Sequence, residues 1–235
     1  MEKPTLKNII KLIIDVVIIV CAFLALARHF FNTLESVFID HTNTLLGSSS
    51  MSLFTTNINI AACVVCIIDL PFEIISIINK KNISFRVLTI CKYIVSVNLI
   101  MTFFIVVFLI FPVTCVYMGS FEIGFRIDFM GGNFYTHIAI PFLFVLSFIL
   151  LEEKTEFSLL TNIFVIVPLF VYSIIYTIFA FILKTWEDVY YLFEVIKVIK
   201  IIGLTAVVLL AHSVCFLVGM LIRKIKKPRT SSLLN

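Results

Sequence analysis

Two side chains in this 235-residue sequence carry the chemistry for nucleophilic hydrolysis: Thr55, at the start of one apolar run, and His137, at the start of another. A threonine hydroxyl is a weak nucleophile that needs a base to accept its proton. Neutral histidine can do so near pH 7. Asn59 follows Thr55 by one helical turn and Asn133 precedes His137 by one, so either amide could orient the base or donate to an oxyanion. Thr56 offers a second hydroxyl beside the first. The plainer reading of all five residues is a packing seam, where small and hydroxyl side chains let membrane helices approach and bond.

Other polar residues fall on the same kind of stripe. Ser52, Thr55, Asn59, Ala62, Cys66, Asp69 and Glu73 follow steps of three and four, one face of a helix. Asn133, His137 and Pro141 share a face, as do Thr161, Val165, Pro168, Tyr172 and Tyr176, and Thr205, Val208, His212, Cys215 and Gly219. Helical rise puts Thr55 and His137 about 3 and 6 Å below one membrane boundary, where they can meet. His212 lies about 20 Å deep on the same measure and is expected in another layer, with Asp69 and Asn98. Asp15, Asp69 and Glu73 are expected to pair with lysines such as Lys11 or Lys92. The sharper alternative is a proton or cation path through Asp69 and His212. The six cysteines all lie in apolar segments and read as packing residues, so no metal, cofactor or disulfide framework is expected.

The elements that must position these residues are membrane helices. Hydrophobic residues make up 61% and charged residues 14% of the chain, too few charges to cover a water-facing surface. A bilayer core of about 30 Å needs roughly 20 apolar helical residues. Six stretches qualify, about Ile9–Phe31, Leu53–Ile78, Tyr93–Met118, Asn133–Leu151, Ser158–Leu183 and Ile199–Ile222. The fold class is therefore an all-α bundle of six transmembrane helices, one domain over residues 1–235. Asn32–Ser50 reads as a polar loop and Lys184–Lys197 as an outer segment whose Trp186, Tyr190 and Tyr191 sit at headgroup level.

Orientation follows from lysine and arginine. Of the 18, 13 fall on the side that holds both chain ends, leaving Arg28, Arg126, Lys184, Lys197 and Lys200 on the other. The positive-inside rule puts both termini in the cytoplasm of a multi-pass plasma-membrane protein. The basic residues gather at span ends rather than in a groove, so nucleic acid is not an expected partner. The lipid bilayer is.

The segments FTTNIN (Phe54–Asn59) and NFYTHIAIP (Asn133–Pro141) carry a family likeness. The chain resembles the bacterial Pr6Pr-type integral membrane proteins, which are similar to the eukaryotic androgen-induced-gene and androgen-dependent TFPI-regulating proteins. Phe54, Thr55 and Asn59 match the bacterial pattern, with Ile58 where it has serine; His137 and Pro141 match its span four. Pro168, Tyr172, Trp186, Tyr191 and Phe193 continue the likeness. The eukaryotic members hydrolyse esters of hydroxylated fatty acids with a membrane-embedded threonine and histidine. The resemblance therefore implies a lipid or fatty-acid ester substrate, with Thr55 and His137 as catalytic residues. The eukaryotic spacing favours Thr56, three residues before Asn59. The Ile-, Phe- and Asn-rich composition fits an A+T-rich bacterial genome. Two other readings stand beside the hydrolase: a small transporter or substrate-capture subunit, and a non-catalytic accessory protein whose stripes are seams.

Overall fold

Backbone in hydrocarbon has no water to bond, so an apolar run must satisfy its N–H and C=O groups internally as helix. The computed structural model describes residues 4–39, 54–81, 83–183 and 200–228, and six helices in it are long and apolar enough to cross a membrane. Those segments are Leu6–Ala25, Phe54–Ile78, Arg86–Val116, Gly132–Leu151, Leu159–Phe179 and Val208–Lys226. The chain is a polytopic, multi-pass membrane protein. Helix α1 is Pro4–Ile39 and α2 is Phe54–Ile78. Span three is α3 (Arg86–Ile105), a π-helical stretch (Val106–Ile110) and α4 (Phe111–Met118). Then come α5 (Phe121–Phe129), a single turn (Gly132–Phe134), a second π-helical stretch (Tyr135–Ala139) and α6 (Ile140–Leu151). Span five is α7 (Leu159–Phe164) and α8 (Val167–Tyr176), and span six is α9 (Lys200–Lys226).

Prolines explain the irregular turns. Pro112 and Pro141 have no N–H for the carbonyls four residues back, Phe108 and His137. Each follows a π-helical stretch that absorbs the mismatch. Pro168 has the same effect in span five, which breaks between Phe164 and Val167. The carbonyl of Val165, at that break, accepts from Asn98 Nδ2 at 2.9 Å and from the Cys215 thiol at 3.4 Å. Spans three, five and six are joined there without exposing backbone to lipid.

Several boundaries differ from expectation; span three, for one, begins at Arg86 rather than Tyr93. Residues 32–39, read as loop, continue α1; they contain neither glycine nor proline, so nothing stops the helix at the membrane edge. Residues Phe121–Phe129, which fall between the expected spans three and four, form a nine-residue helix. The expected outer segment Lys184–Lys197 and Ser52 lie outside the described residues.

The core has two parts. One joins α1, α2, α3 and α6 through Ile18, Ala22, Ala62, Cys66, Leu99 and Phe144. The other joins α3 to spans five and six through Tyr93, Val97, Phe157, Val165 and Cys215. The cysteines there are free and packed in the apolar interior. The Tyr93 hydroxyl donates to the Gly219 carbonyl at 2.8 Å and stands 2.5 Å from Asn162 Oδ1. A Cβ on Gly219 would come within 2.5 Å of that amide oxygen and 3.2 Å of the Tyr93 hydroxyl. Gly219→Ala should therefore lower stability by about 1–3 kcal/mol, read as a drop in thermal midpoint in detergent. An unchanged midpoint would mean the three spans are not locked at this point.

Candidate functional site

The first turn of α2 carries Thr55 and Thr56, both buried, and Asn59 sits one turn on. The Asn59 side chain is 3% exposed. Its Nδ2 donates to the Thr55 carbonyl at 2.7 Å and to the Thr136 carbonyl at 3.0 Å. This amide ties the start of span two to the π-helical stretch of span four, next to His137. Thr56, Asn59 and Thr136, with Ala22, Ala25, Ile60 and Ile140, line a cavity of about 10 Å³, room for about one water molecule.

His137 is buried, and its Nδ1 lies 2.7 Å from the backbone carbonyl of Asp128. A carbonyl only accepts, so Nδ1 carries the hydrogen, and in a neutral ring Nε2 is then the basic nitrogen. That carbonyl is placed by α5. Ser120 caps the helix, its side chain accepting from the Ile123 amide, and Arg126 pairs with Glu122 at 2.7 Å. A Cβ on Gly124 would meet Cys115 Sγ at 2.6 Å, so only glycine lets α5 lie this close to α4. Phe111 packs edge-on against Phe121, Phe125 and Phe129.

Asn59 thus ties the turn that carries Thr55 and Thr56 to Thr136, the sequence neighbour of His137, at one end of the bundle. Asn133 serves differently. Its Nδ2 donates to the Ile127 carbonyl at 2.7 Å, closing the turn through Gly131, whose φ of 65° suits glycine. It therefore fixes the angle between α5 and span four, which holds the Asp128 carbonyl in place. Ala22 and Ala25 of α1 form part of the wall of this small cavity, and Phe134 is exposed. Phe54 packs on Tyr172 of span five, ring centres 5.0 Å apart.

Sequence reasoning missed Asp128 and Thr136. The available signal was a capping serine followed by the mixed apolar and charged run FEIGFRIDF, which marks a short interfacial helix. Asp128 is 5% exposed. Burial raises its carboxyl above the ordinary value of 3.8, against the opposing pull of the Thr114 hydroxyl. The folded state then holds this proton more tightly than the unfolded chain. Stability should fall as pH rises from about 3.8 through the raised value. Asp128→Asn should gain thermal stability relative to the parent as pH rises across that window. A difference that stays flat or shrinks would contradict this.

The opposite end of the bundle holds a second polar cluster. Lys11 Nζ lies 2.7 Å from Glu152, 2.9 Å from Asp69 and 3.1 Å from Glu73. Lys92 pairs with Asp69 and, at 2.5 Å, with Glu152. Asp69 thus takes the lysine partners expected of it, both of them. Burial alone would raise the Glu152 carboxyl, but Lys92 and Lys11 outweigh it and hold it below the usual range. His212 is elsewhere: its Nδ1 bonds the Val208 carbonyl of its own helix at 2.6 Å, and its ring packs against Phe170. The expected layer of His212 with Asp69 does not form, and no described bond links them. About 20 Å of helix separates Thr56 from Asp69 along α2.

No protein-family model, curated protein or solved structure matches this chain.

Proposed function

We propose that this multi-pass membrane protein is an ester hydrolase that cleaves lipid or fatty-acid esters, with His137 as the base and a threonine of the first turn of α2 as nucleophile. The observation that carries the reading is the 2.7 Å contact from His137 Nδ1 to a backbone carbonyl, which places the hydrogen on Nδ1 and makes Nε2 the basic nitrogen of the ring. The location of Thr56 on the small cavity shared with Asn59 and Thr136 supports it over Thr55. Of the two resemblances, the Pr6Pr-type pattern matches Thr55, whereas the androgen-induced-gene spacing, with threonine three residues before Asn59, favours Thr56.

In the proposed reaction His137 Nε2 takes the threonine proton as Oγ1 attacks the ester carbonyl. The imidazolium returns that proton to the departing alcohol, leaving an acyl-threonine. Water, activated by the same nitrogen, then releases the carboxylic acid and regenerates the hydroxyl. The cavity is the size of the attacking water, not of the acyl chain. The chain is therefore read as lying in the bilayer against exposed residues such as Phe134. The distribution of basic residues supports an orientation with both termini in the cytoplasm and the site in the outer half of a bacterial plasma membrane.

The test is hydrolysis of a long-chain fatty-acid ester by the purified protein in mixed micelles. Thr56→Ala should abolish turnover, while Thr55→Ala retains a measurable fraction of it. Equal rates in the parent and both variants would remove the hydrolase reading.

A further inference from the structure

The charge count of the second cluster does not close. Four buried carboxylates meet there: Asp15 from α1, Asp69 and Glu73 from α2, and Glu152 at the end of α6. Two ammonium groups pair with them, Lys11 and Lys92, while a third nearby, Lys226 of α9, has its Nζ bound to the backbone carbonyls of Phe148 and Glu152 at 3.0 and 2.9 Å. Lys11 and Lys92 are committed to Asp69, Glu73 and Glu152, and Lys226 to the two backbone carbonyls. Asp15 is 3% exposed, its Oδ2 has no hydrogen-bond partner, and Glu73 Oε2 has none either. Burying an uncompensated carboxylate in hydrocarbon surroundings is costly, so the arrangement calls for a further positive charge.

The geometry brings the donors for one together. Ligand oxygens of Asp15, Asp69 and Glu73 all lie within 4.8 Å of one another. A hard cation binds carboxylate oxygens at about 2.0–2.6 Å, so oxygens on opposite sides of it stand about 4–5 Å apart. The donors are all oxygen, which suits alkali and alkaline-earth ions rather than thiophilic metals; the Cys66 thiol lies nearby. We propose that Asp15, Asp69 and Glu73 form an intramembrane site for a small hard cation, held between α1 and α2. Lys11, bonded to two of the same carboxylates, acts as a tethered cation that shares the site. Sequence reading assigned no metal here, because it matched these acids to lysines without counting the charge left over.

The experiment is thermal unfolding of the purified full-length protein in sodium, potassium, magnesium or calcium chloride, against N-methylglucamine chloride at equal ionic strength. A ligand that binds only the folded state raises the midpoint with concentration. The expected result is a saturable rise with at least one of the four, the alkali or alkaline-earth response naming the class, and its loss in Asp15→Asn and Glu73→Gln. Protons compete for the same oxygens, so in the parent protein the rise should shrink in acid. This second measurement holds even if a variant fails to fold. Equal midpoints in all five salts would overturn the proposal, as would a rise that persists unchanged in acid. Asp15→Asn raising the midpoint while the parent ignores every cation would also overturn it, since a proton would then supply the missing charge.

Discussion

Methionine in place of Lys92 should destabilise the protein by about 3–5 kcal/mol, a large part of the net stability of an ordinary domain. The reason is what the substitution leaves behind. Lys92 is 5% exposed and pairs with Asp69 and Glu152. Without it, two buried carboxylates share Lys11, already claimed by Glu73. Methionine preserves most of the volume, so the loss comes from charge rather than from a cavity. The companion test is Lys92→Met combined with Asp69→Asn. Neutralising the stranded carboxylate should recover much of the loss, giving a coupling energy of about 0.5–3 kcal/mol between the two sites. Additive losses would mean that Lys92 acts by packing alone.

The second large effect is catalytic. His137→Ala should lower ester turnover by about 10²–10⁴-fold, the range expected for loss of a positioned general base. The pair acts as a unit. Adding Thr56→Ala to His137→Ala should therefore cost little beyond the larger single effect, far short of the product of the two. Stability is the control, because His137 holds α5 through the Asp128 carbonyl. His137→Gln keeps a side-chain N–H that can reach that carbonyl but offers no base. It should fold like the parent and remain inactive. Activity in the glutamine variant would remove His137 from the chemistry.

The six spans were legible because a run of about 20 apolar residues has few other uses. The polar face of span two was legible for a related reason: a period of 3.6 fixes which side chains share a stripe. Thr55, Asn59, Ala62, Cys66, Asp69 and Glu73 are indeed all buried. Periodicity does not fix the rotation of one helix against another. His212 was therefore placed at the depth of Asp69 but faces Phe170 instead. Hydropathy windows also pass over short helices. Residues Phe121–Phe129 are too few to span, and so the element that holds His137 in one tautomer was not recognised as a helix. Glu152 was overlooked because a glutamate at a span end ordinarily faces water. Only the approach of Lys11 and Lys92 from two other helices draws it inward.

The most direct test of the hydrolase assignment is covalent. A fluorophosphonate ester bearing a long alkyl chain should be incubated with the purified protein, and the modified residue located by peptide mass mapping. A single adduct on Thr56 is predicted, formed by the parent protein and absent from His137→Ala, because the hydroxyl reacts only when a neighbouring base takes its proton. No adduct on either Thr55 or Thr56, or labelling that is unchanged in His137→Ala, would contradict it.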